Sequence, residues 1–182
     1  MRDIKIVNSI LLIISLFLIT SCSNNSTMKP EDFKNKEPRL VIEEYLTGNV
    51  KAWGVLQNRS GKVTRQFSAD LDGSWDGKQL ILKEKFNWND GEVQNREWTI
   101  TKIDENNYEG TAGDVVGKAI GYSYGPAFKF EYVLLVPVKG KEMKITFDDW
   151  IFKQDDRVAI NRATMTKFGF KVAELTVVFV KD

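Results

Sequence analysis

The sequence contains no histidine and a single cysteine, Cys22. The absence of histidine excludes Ser-His-Asp and Cys-His catalysis, histidine-ligated zinc or haem, and proton transfer by imidazole near neutral pH. With one cysteine, neither an intramolecular disulfide nor a cysteine metal site can form. Much of the usual enzyme repertoire is therefore missing, and we expect no catalytic residues, no metal and no other cofactor.

The chain also lacks an excess of charge of either sign. Its 182 residues include 26 basic and 25 acidic side chains, which give a formal net charge of +1. A domain that binds nucleic acid generally presents a strongly basic surface, and no block of basic residues is present in this sequence. Nucleic acid is therefore not an expected partner.

No apolar run is long enough to cross a membrane as a helix. The longest, residues 10–19, falls short of the roughly 20 residues that a bilayer requires. It follows two basic residues and is followed by Ser21 and Cys22, a pattern typical of a signal peptide that ends in the bacterial lipoprotein processing box. In that type of signal, cleavage after Ser21 leaves Cys22 as the lipidated first residue. The alternative is an ordinary secretory signal with an incidental cysteine.

The signal divides the chain into three expected parts. Residues 1–21 form the signal peptide, residues 22–37 a flexible tether from lipidated Cys22, and residues 38–182 one folded domain. The tether is polar and has too little apolar surface to fold alone. Ser23 stands where an aspartate usually retains a lipoprotein in the inner membrane. We therefore expect a monomer that the N-terminal lipid anchors to the periplasmic face of the outer membrane.

The domain is predicted to begin with one short helix and to continue as strands. Residues 38–46 form the helix, because Pro38 suits its first position and Gly48 supplies a stop. Further on, turn signals separate short runs of β-forming residues at about ten-residue intervals. The predicted strands are 51–58, 62–72, 78–88, 97–104, 108–116, 121–124, 128–138, 141–153, 157–168 and 170–181.

These short connections determine the predicted fold. Consecutive strands must pair antiparallel, because a parallel crossover needs a dozen or more residues. A sheet of this many strands curls, and closure removes its edges. The sequence therefore predicts an all-β fold, a single antiparallel up-and-down β-barrel of about 9–10 strands, lipocalin/calycin-like and preceded by one short α-helix.

The alternation of apolar and polar residues is incomplete in several strands. In 78–88 the apolar positions form one face, and Glu84 is the single charged residue among them. In 141–152 both faces mix apolar and charged residues. We therefore expect a barrel whose interior is not fully apolar. Repeated glycines between 110 and 125 predict that this part of the wall is the most bent or mobile.

The hairpin around residues 155–156 supplies the first candidate site. If 155–156 is a two-residue turn, Asp149 lies opposite Arg162. The same register places Trp150 opposite Asn161. A charged pair among aliphatic residues either fixes the register of the sheet or positions Arg162 to bind the head group of an acidic lipid inside the barrel.

Five tryptophans are many for a chain of this length. Aromatic residues commonly fill the core of a small barrel, and this accounts for most of them. The alternative is a cavity lined by a few of them, and the candidates for ligand binding are Trp53 and Trp98 in addition to Trp150. Spacing alone does not decide between these two interpretations.

Several separated motifs resemble an uncharacterised family of bacterial lipoproteins. The resemblance covers about residues 40–180 and implies a domain of unknown function with no established catalytic residues. In outline, the expected barrel and its preceding helix are also similar to lipocalins. The motifs are KAWG (51–54), DGSWDG (72–77), WTITK (98–102), YEGTAGDVVG (108–117), FDDW (147–150) and NRATMTKFG (161–169).

Three functions follow in order of preference. The first is a membrane-anchored carrier whose barrel binds a small apolar ligand such as a fatty acid or modified lipid. The second is a non-catalytic module that docks a cell-envelope partner through the rim or outer face, for which we expect a filled interior and an exposed apolar patch. The third is an enzyme that acts on an envelope lipid through Asp149.

Overall fold

The computed structural model describes residues 28–138 and 140–182. The predicted signal peptide, Cys22 and most of the predicted tether therefore lie outside the described residues. Within the described ranges, no helix has the length and apolar character needed to cross a membrane.

In the part of the chain that the structure describes, two short helices precede ten strands. A 3-10 helix covers Pro30–Phe33 and an α-helix, α1, covers Ile42–Leu46. The strands are β1 Gly48–Asn58, β2 Val63–Trp75, β3 Gln79–Trp88, β4 Val93–Lys102, β5 Asn107–Thr111, β6 Ala119–Tyr124, β7 Ala127–Val138, β8 Lys141–Lys153, β9 Val158–Lys167 and β10 Phe170–Lys181.

The ten strands form one closed barrel. Every strand pairs antiparallel with its neighbours in sequence, and β1 pairs with β10 from Val50–Lys181 to Asn58–Ala173. The predicted all-β, antiparallel, up-and-down barrel with a short preceding helix is confirmed. Because β1 and β10 close the sheet, each of the ten described strands has a partner on both sides and the barrel encloses its own core.

Alternating side chains explain why these segments form strands. In β3, Leu80 and Leu82 point into the barrel and are buried, whereas Lys83 and Lys85, further along the strand, are exposed on the outer surface. A period of two places every second residue on the same face of a strand. The burial of this inward set supplies the main stabilisation of the barrel.

One end of the barrel is covered by α1. Ile42 and Leu46 of α1 are buried against the barrel, and this end also contains the β2–β3, β4–β5, β6–β7 and β8–β9 connections. The predicted helix 38–46 is longer than the observed one. Its first residues are not helical because the backbone N–H of Leu40 donates instead to the carbonyl of Gly125, at 2.8 Å, in the β6–β7 turn. We call this end the closed end and the opposite end the open end.

Buried polar contacts hold α1 against the barrel. Glu43 is 4% exposed. Its carboxylate accepts a hydrogen bond from Lys102 Nζ at 2.5 Å and another from the hydroxyl of Tyr108 at 3.0 Å. Lys102 ends β4 and Tyr108 lies in β5, so a single carboxylate links α1 to two strands.

The packed part of the chain begins ahead of the predicted domain boundary at residue 38. The ring of Phe33, at the end of the 3-10 helix, lies 6.0 Å from the ring of Trp150 and 5.5 Å from that of Phe152. Both partners belong to β8 and face the outside of the barrel. The end of the predicted tether therefore packs on the outer wall.

The predicted register of the β8–β9 hairpin is wrong by one residue. Asp149 lies opposite Ala163, and Trp150 lies opposite Arg162. The connection is wider than a two-residue turn because the carboxylate of Asp155 accepts hydrogen bonds from the backbone N–H groups of Arg157 and Val158.

This shift separates the expected ion pair. A change of one residue moves a side chain to the other face of the sheet. Asp149 and Asn161 therefore point into the barrel, and Arg162 lies on the outer surface, where its guanidinium is 3.6 Å from Glu174.

Glycines make room for the aromatic core where β5 and β6 are short. A Cβ atom on Gly110 would lie 2.4 Å from Cζ of Phe130, and one on Gly121 would lie 3.0 Å from Cζ of Phe128. Only glycine permits the two rings to approach the backbone this closely.

Candidate ligand-binding site

A cavity of about 270 Å³ lies inside the barrel. Ile42 and Leu46 of α1 form its floor at the closed end, and it extends to the exposed residues Glu92 and Pro137 at the open end. Most of its wall is apolar and aromatic, including Leu82, Phe86, Phe128, Phe130, Leu134, Phe147, Ile151, Leu175, Val177 and Phe179. An apolar cavity with a few polar groups is the usual form of a small-molecule site.

The polar part of the wall is a cluster contributed by five strands and one loop. It consists of Glu84 in β3, Arg96 in β4, Asp114 in the β5–β6 loop, Tyr132 in β7, Asp149 in β8 and Asn161 in β9. We call these six side chains the interior polar cluster. The sequence predicted a barrel interior that is not fully apolar, and the interior polar cluster confirms this prediction.

Arg96 is held mainly by Asp114. Its Nε and Nη2 atoms donate to the Asp114 carboxylate at distances of 2.8–3.1 Å, a two-pronged arrangement that favours arginine over lysine. Its Nη1 lies 3.9 Å from Oε2 of Glu84, outside hydrogen-bond distance. The side chains of Arg96 and Glu84 are 15% and 12% exposed.

The β5–β6 loop brings Asp114 to this position. Asp114 and Val116 form backbone hydrogen bonds with Leu135 and Val133 of β7, at 2.9 and 2.8 Å. Because β6 begins only at Ala119, the loop occupies the space beside β7 that a longer β6 would fill. The carboxylate of Asp114 thereby reaches Arg96 on β4.

Burial raises the pKa of Glu84 from 4.5 to about 7. The charged form loses water contacts inside the barrel, and the negative charges of Asp149 and Asp114 raise the pKa further. Arg96 acts in the opposite direction but is too far away to form a hydrogen bond. Glu84 therefore titrates near neutral pH.

Asp149 belongs to a second part of the interior polar cluster. Its carboxylate accepts a hydrogen bond from the Tyr132 hydroxyl at 2.9 Å and another from the side-chain amide of Asn161. Burial raises the pKa of Asp149 from 3.8 to about 6, and the two hydrogen bonds limit that rise. Burial also raises the pKa of Tyr132 well above 10, so its hydroxyl remains a donor.

At the open end, Arg65 covers one side of the cavity mouth. Its guanidinium carbon lies 3.9 Å from the centre of the Trp88 ring. The same group donates hydrogen bonds of 2.8 Å to Asp90 and Glu92 in the β3–β4 hairpin. Cation–π contact and two ion pairs therefore fix Arg65 at the mouth.

The candidate residues predicted from the sequence separate into two groups. Asp149 and Asn161 line the cavity. Trp98 points inward and is 5% exposed, but it packs against Phe130 and Tyr132 and is not part of the cavity surface.

The remaining three candidates lie on the outside of the barrel. Arg162 is exposed, Trp150 is covered by Phe33, and Trp53 is 50% exposed on the outer face of β1. The expected contact between Arg162 and a head group inside the barrel is therefore wrong.

The sequence analysis missed Glu84, Arg96, Asp114 and Tyr132 as site residues. The sequence did indicate Glu84, because it is the one charged residue on the apolar face of its strand. In the structure, Arg96 lies directly opposite it on β4. Asp114 could not be recognised in this way, because its position depends on how the β5–β6 loop folds. Within residues 28–138 and 140–182, no three potential ligands are grouped to hold a metal ion.

The family described as "Protein of unknown function (DUF3833)" matches residues 16–181. The chain belongs to this family. The predicted resemblance to an uncharacterised family is confirmed, and DUF3833 membership covers the complete barrel. No curated protein matches the sequence.

Solved structures that resemble the DUF3833 barrel include the following two. One is a protein of unknown function from the DUF3598 family of Nostoc punctiforme, with a TM-score of 0.60 and 16% identity over 81% of this chain. The chain spans about half of that protein, 51% of its length. The other is an S-type phycobiliprotein lyase from Guillardia theta, with a TM-score of 0.58 and 11% identity, covering 86% of this chain and 94% of the lyase. At these identities the likeness shows a shared lipocalin-like barrel fold.

Proposed function

We propose that this DUF3833 protein is an envelope lipoprotein whose barrel binds a small, largely apolar ligand. The observation that carries the proposal is the cavity of about 270 Å³, with its largely apolar wall and the interior polar cluster. Similarity to the barrel of a phycobiliprotein lyase, which has a comparable length, supports a barrel that accommodates a small molecule. Few side chains in a chain with no histidine and one cysteine could catalyse a reaction, so we propose binding rather than catalysis.

The proposed location rests on the N-terminal sequence. Ser21 and Cys22 complete a lipoprotein processing box, and Ser23 is compatible with transfer to the outer membrane. In this proposal, lipidated Cys22 anchors the chain and the barrel lies in the periplasm as a monomer. A carrier in that position has access to lipids and their breakdown products, including fatty acids and modified lipids.

Native mass spectrometry of residues 28–182 tests the binding proposal. We expect a bound molecule that survives gentle purification and that organic extraction then identifies. Titration with a fluorescent apolar probe provides an independent measurement, because Trp88 lines the cavity and reports on its occupancy. A mass equal to that of the protein alone, together with no saturable probe signal, would contradict the proposal.

A cavity-filling variant and a matched variant on the outer surface make the titration specific. Ala52 lines the cavity, and Ala52→Leu should abolish probe binding without unfolding the barrel, since the added methyl groups enter free space. Ser68→Leu adds a similar apolar group on the exposed face of β2 and should leave binding unchanged. Equal effects of the two substitutions would show that the probe binds outside the cavity.

A second candidate function is docking of the open end onto a lipid surface. Phe168 and Phe170, in the β9–β10 hairpin, are 87% and 77% exposed. Val63, Val93 and Val138 are exposed at the same end. Arg59, Lys62 and Lys141 are exposed beside them. Apolar tips flanked by basic side chains suit a bilayer that contains anionic lipid.

Sedimentation of residues 28–182 with anionic vesicles tests the docking function. The double variant Phe168→Ser, Phe170→Ser should lose most of its vesicle binding. Trp53→Ser removes an aromatic side chain that is 50% exposed on the wall of the barrel, and it should bind vesicles like the unsubstituted protein. Equal binding by all three proteins would exclude the open end as the membrane contact.

A further inference from the structure

The inside of the barrel contains more acidic than basic groups. Among the described residues of the interior polar cluster, Glu84, Asp114 and Asp149 are acidic and Arg96 is the one basic residue. Arg65 lies at the mouth and is already paired with two carboxylates of the β3–β4 hairpin. Buried negative charge without a compensating cation is unfavourable.

Arg96 is not available to bind an anionic ligand. Three hydrogen bonds of 2.8–3.1 Å connect its guanidinium to Asp114. A carboxylate that entered the cavity would have to displace Asp114, and it would also lie near Glu84 and Asp149. The free carboxylate of a fatty acid therefore has no suitable partner among the described residues of the cavity.

Glu84 and Asp149 lack a cation at hydrogen-bond distance. The charged groups that face Glu84 are Arg96 on β4, at 3.9 Å, and Asp114 and Asp149, which contribute repulsion. The side chain of Trp98 on β4 is a neutral hydrogen-bond donor to Glu84 and lowers its pKa. The side chains that donate to Asp149 are those of Tyr132 and Asn161, and both are neutral donors. Each carboxylate therefore retains the capacity to bind a positively charged donor.

We propose that the cavity binds a compact cationic amphiphile, with a protonated amine held by Glu84 and Asp149 and an apolar body among the aromatic and aliphatic residues. This inference rests on the proposed ligand-binding function and names the chemical class of its ligand. The ammonium group supplies the missing positive charge and donates to carboxylate oxygens, a charge-assisted contact that is stronger than a neutral hydrogen bond.

The volume of the cavity limits the size of the ligand. At roughly 30 Å³ for each water-sized group, the cavity holds about nine non-hydrogen atoms. A primary amine with a chain of about eight carbons fits this limit, whereas the body of a long-chain lipid would extend through the open end.

Three probes with the same chain and different polar groups test the inference. They are octylamine, 1-octanol and octanoate, each titrated calorimetrically into residues 28–182 at about pH 8, where Glu84 and Asp149 are ionised. We expect octylamine to bind at least tenfold more tightly than either other probe. Lowering the pH to about 5 should remove this preference, because both carboxylates then take up protons.

Isosteric variants distinguish the cavity from the outer surface. Glu84→Gln should weaken octylamine binding tenfold or more and leave 1-octanol binding unchanged. Glu97→Gln is the matched control, since Glu97 is an exposed acidic residue on the outer face of β4, and it should have no effect. Asp149→Asn should act in the same direction as Glu84→Gln.

The outcomes separate the two proposals. Octanol or octanoate binding as tightly as octylamine would overturn the selection of an amine while leaving ligand binding intact. If Glu84→Gln and Glu97→Gln weaken octylamine binding equally, the amine binds at the outer surface. That result would also overturn the selection of an amine by the cavity. Failure of all three probes to bind, with no molecule detected in native mass spectra, would contradict the proposed function itself.

Discussion

The guanidinium of Arg96 is paired with Asp114 on a loop rather than with Glu84 on the adjacent strand. Nη2 of Arg96 lies 2.8 Å from Asp114, and Nη1 lies 3.9 Å from Glu84, although Arg96 and Glu84 are direct cross-strand neighbours. The loop carboxylate forms the closer ion pair, so Glu84 remains in the cavity without a hydrogen-bonded cation. Its protonation therefore depends on pH near neutrality.

Glu84→Gln should increase stability above neutral pH. The pKa of Glu84 is about 7 in the folded protein and 4.5 in its unperturbed state, so the folded state binds more protons than the unfolded state between these values. The contribution of Glu84 to the free energy of unfolding therefore falls as the pH rises through this window, by on the order of 3 kcal/mol. Asp149 acts in the same direction between pH 3.8 and about 6.

Urea denaturation from about pH 4 to pH 8 measures this effect. The stability difference between Glu84→Gln and the unsubstituted protein should grow as the pH rises and then level off above about pH 7. The exposed control Glu97→Gln should show no such trend. A difference that is constant with pH would show that Glu84 does not titrate in this range.

Loss of the carboxylate of Glu43 should weaken the attachment of α1. Glu43→Gln removes the ion pair with Lys102 and should lower the free energy of unfolding by about 1.5–3 kcal/mol, the range for a hydrogen bond to a charged group. Glu44→Gln changes the adjacent, exposed residue of α1 and should cost less than about 0.5 kcal/mol. Equal costs in urea denaturation would contradict the assigned role of Glu43.

Removing the ring of Phe33 should release the 3-10 helix without opening the barrel. Phe33→Ala eliminates two aromatic contacts, each worth about 0.5–1.5 kcal/mol, and exposes Trp150. We expect a red shift in tryptophan emission and faster amide hydrogen exchange in residues 28–37, with unchanged exchange in β1 and β10. Phe168→Ala, at a ring that is 87% exposed, serves as the control. Unchanged emission and exchange in Phe33→Ala would show that the helix does not depend on this contact.

Substitution of Cys22 should release the protein from the membrane. Mass spectrometry of the N-terminal peptide should show cleavage after Ser21 and a lipid on Cys22. Cys22→Ala should move the protein from the membrane fraction to the soluble fraction. Cleavage at another site, with an unmodified cysteine, would instead establish an ordinary secretory signal.

The strands were predictable because turn residues and alternation act locally. The predicted strands 141–153 and 170–181 coincide with β8 and β10, and Gly140 and Gly169 mark turns in which they adopt positive φ. Strand pairing then follows from the short connections. The overall fold could therefore be derived from patterns within about ten residues.

The site was less predictable because its register and partners depend on longer-range contacts. Two hydrogen bonds from backbone N–H groups to Asp155 widen the β8–β9 connection, and this one-residue difference places Arg162 outside. Asp114 reaches Arg96 only because its loop pairs with β7. Glu84 could be recognised in the sequence as a charged residue on the apolar face of its strand. Its surroundings in the cavity, however, depend on the register of β8 and β9 and on the position of the loop that carries Asp114.

The pairing of β1 with β10 determines when during folding the barrel can close. The two strands that complete the sheet come from opposite ends of the domain, so their contact is the one of highest sequence separation and the slowest to form. Until β10 has paired with them, β1 and β9 present unpaired edges to which a strand of another chain can bind. A chain truncated before Phe170 should therefore accumulate as intermolecular aggregates instead of a smaller monomeric barrel.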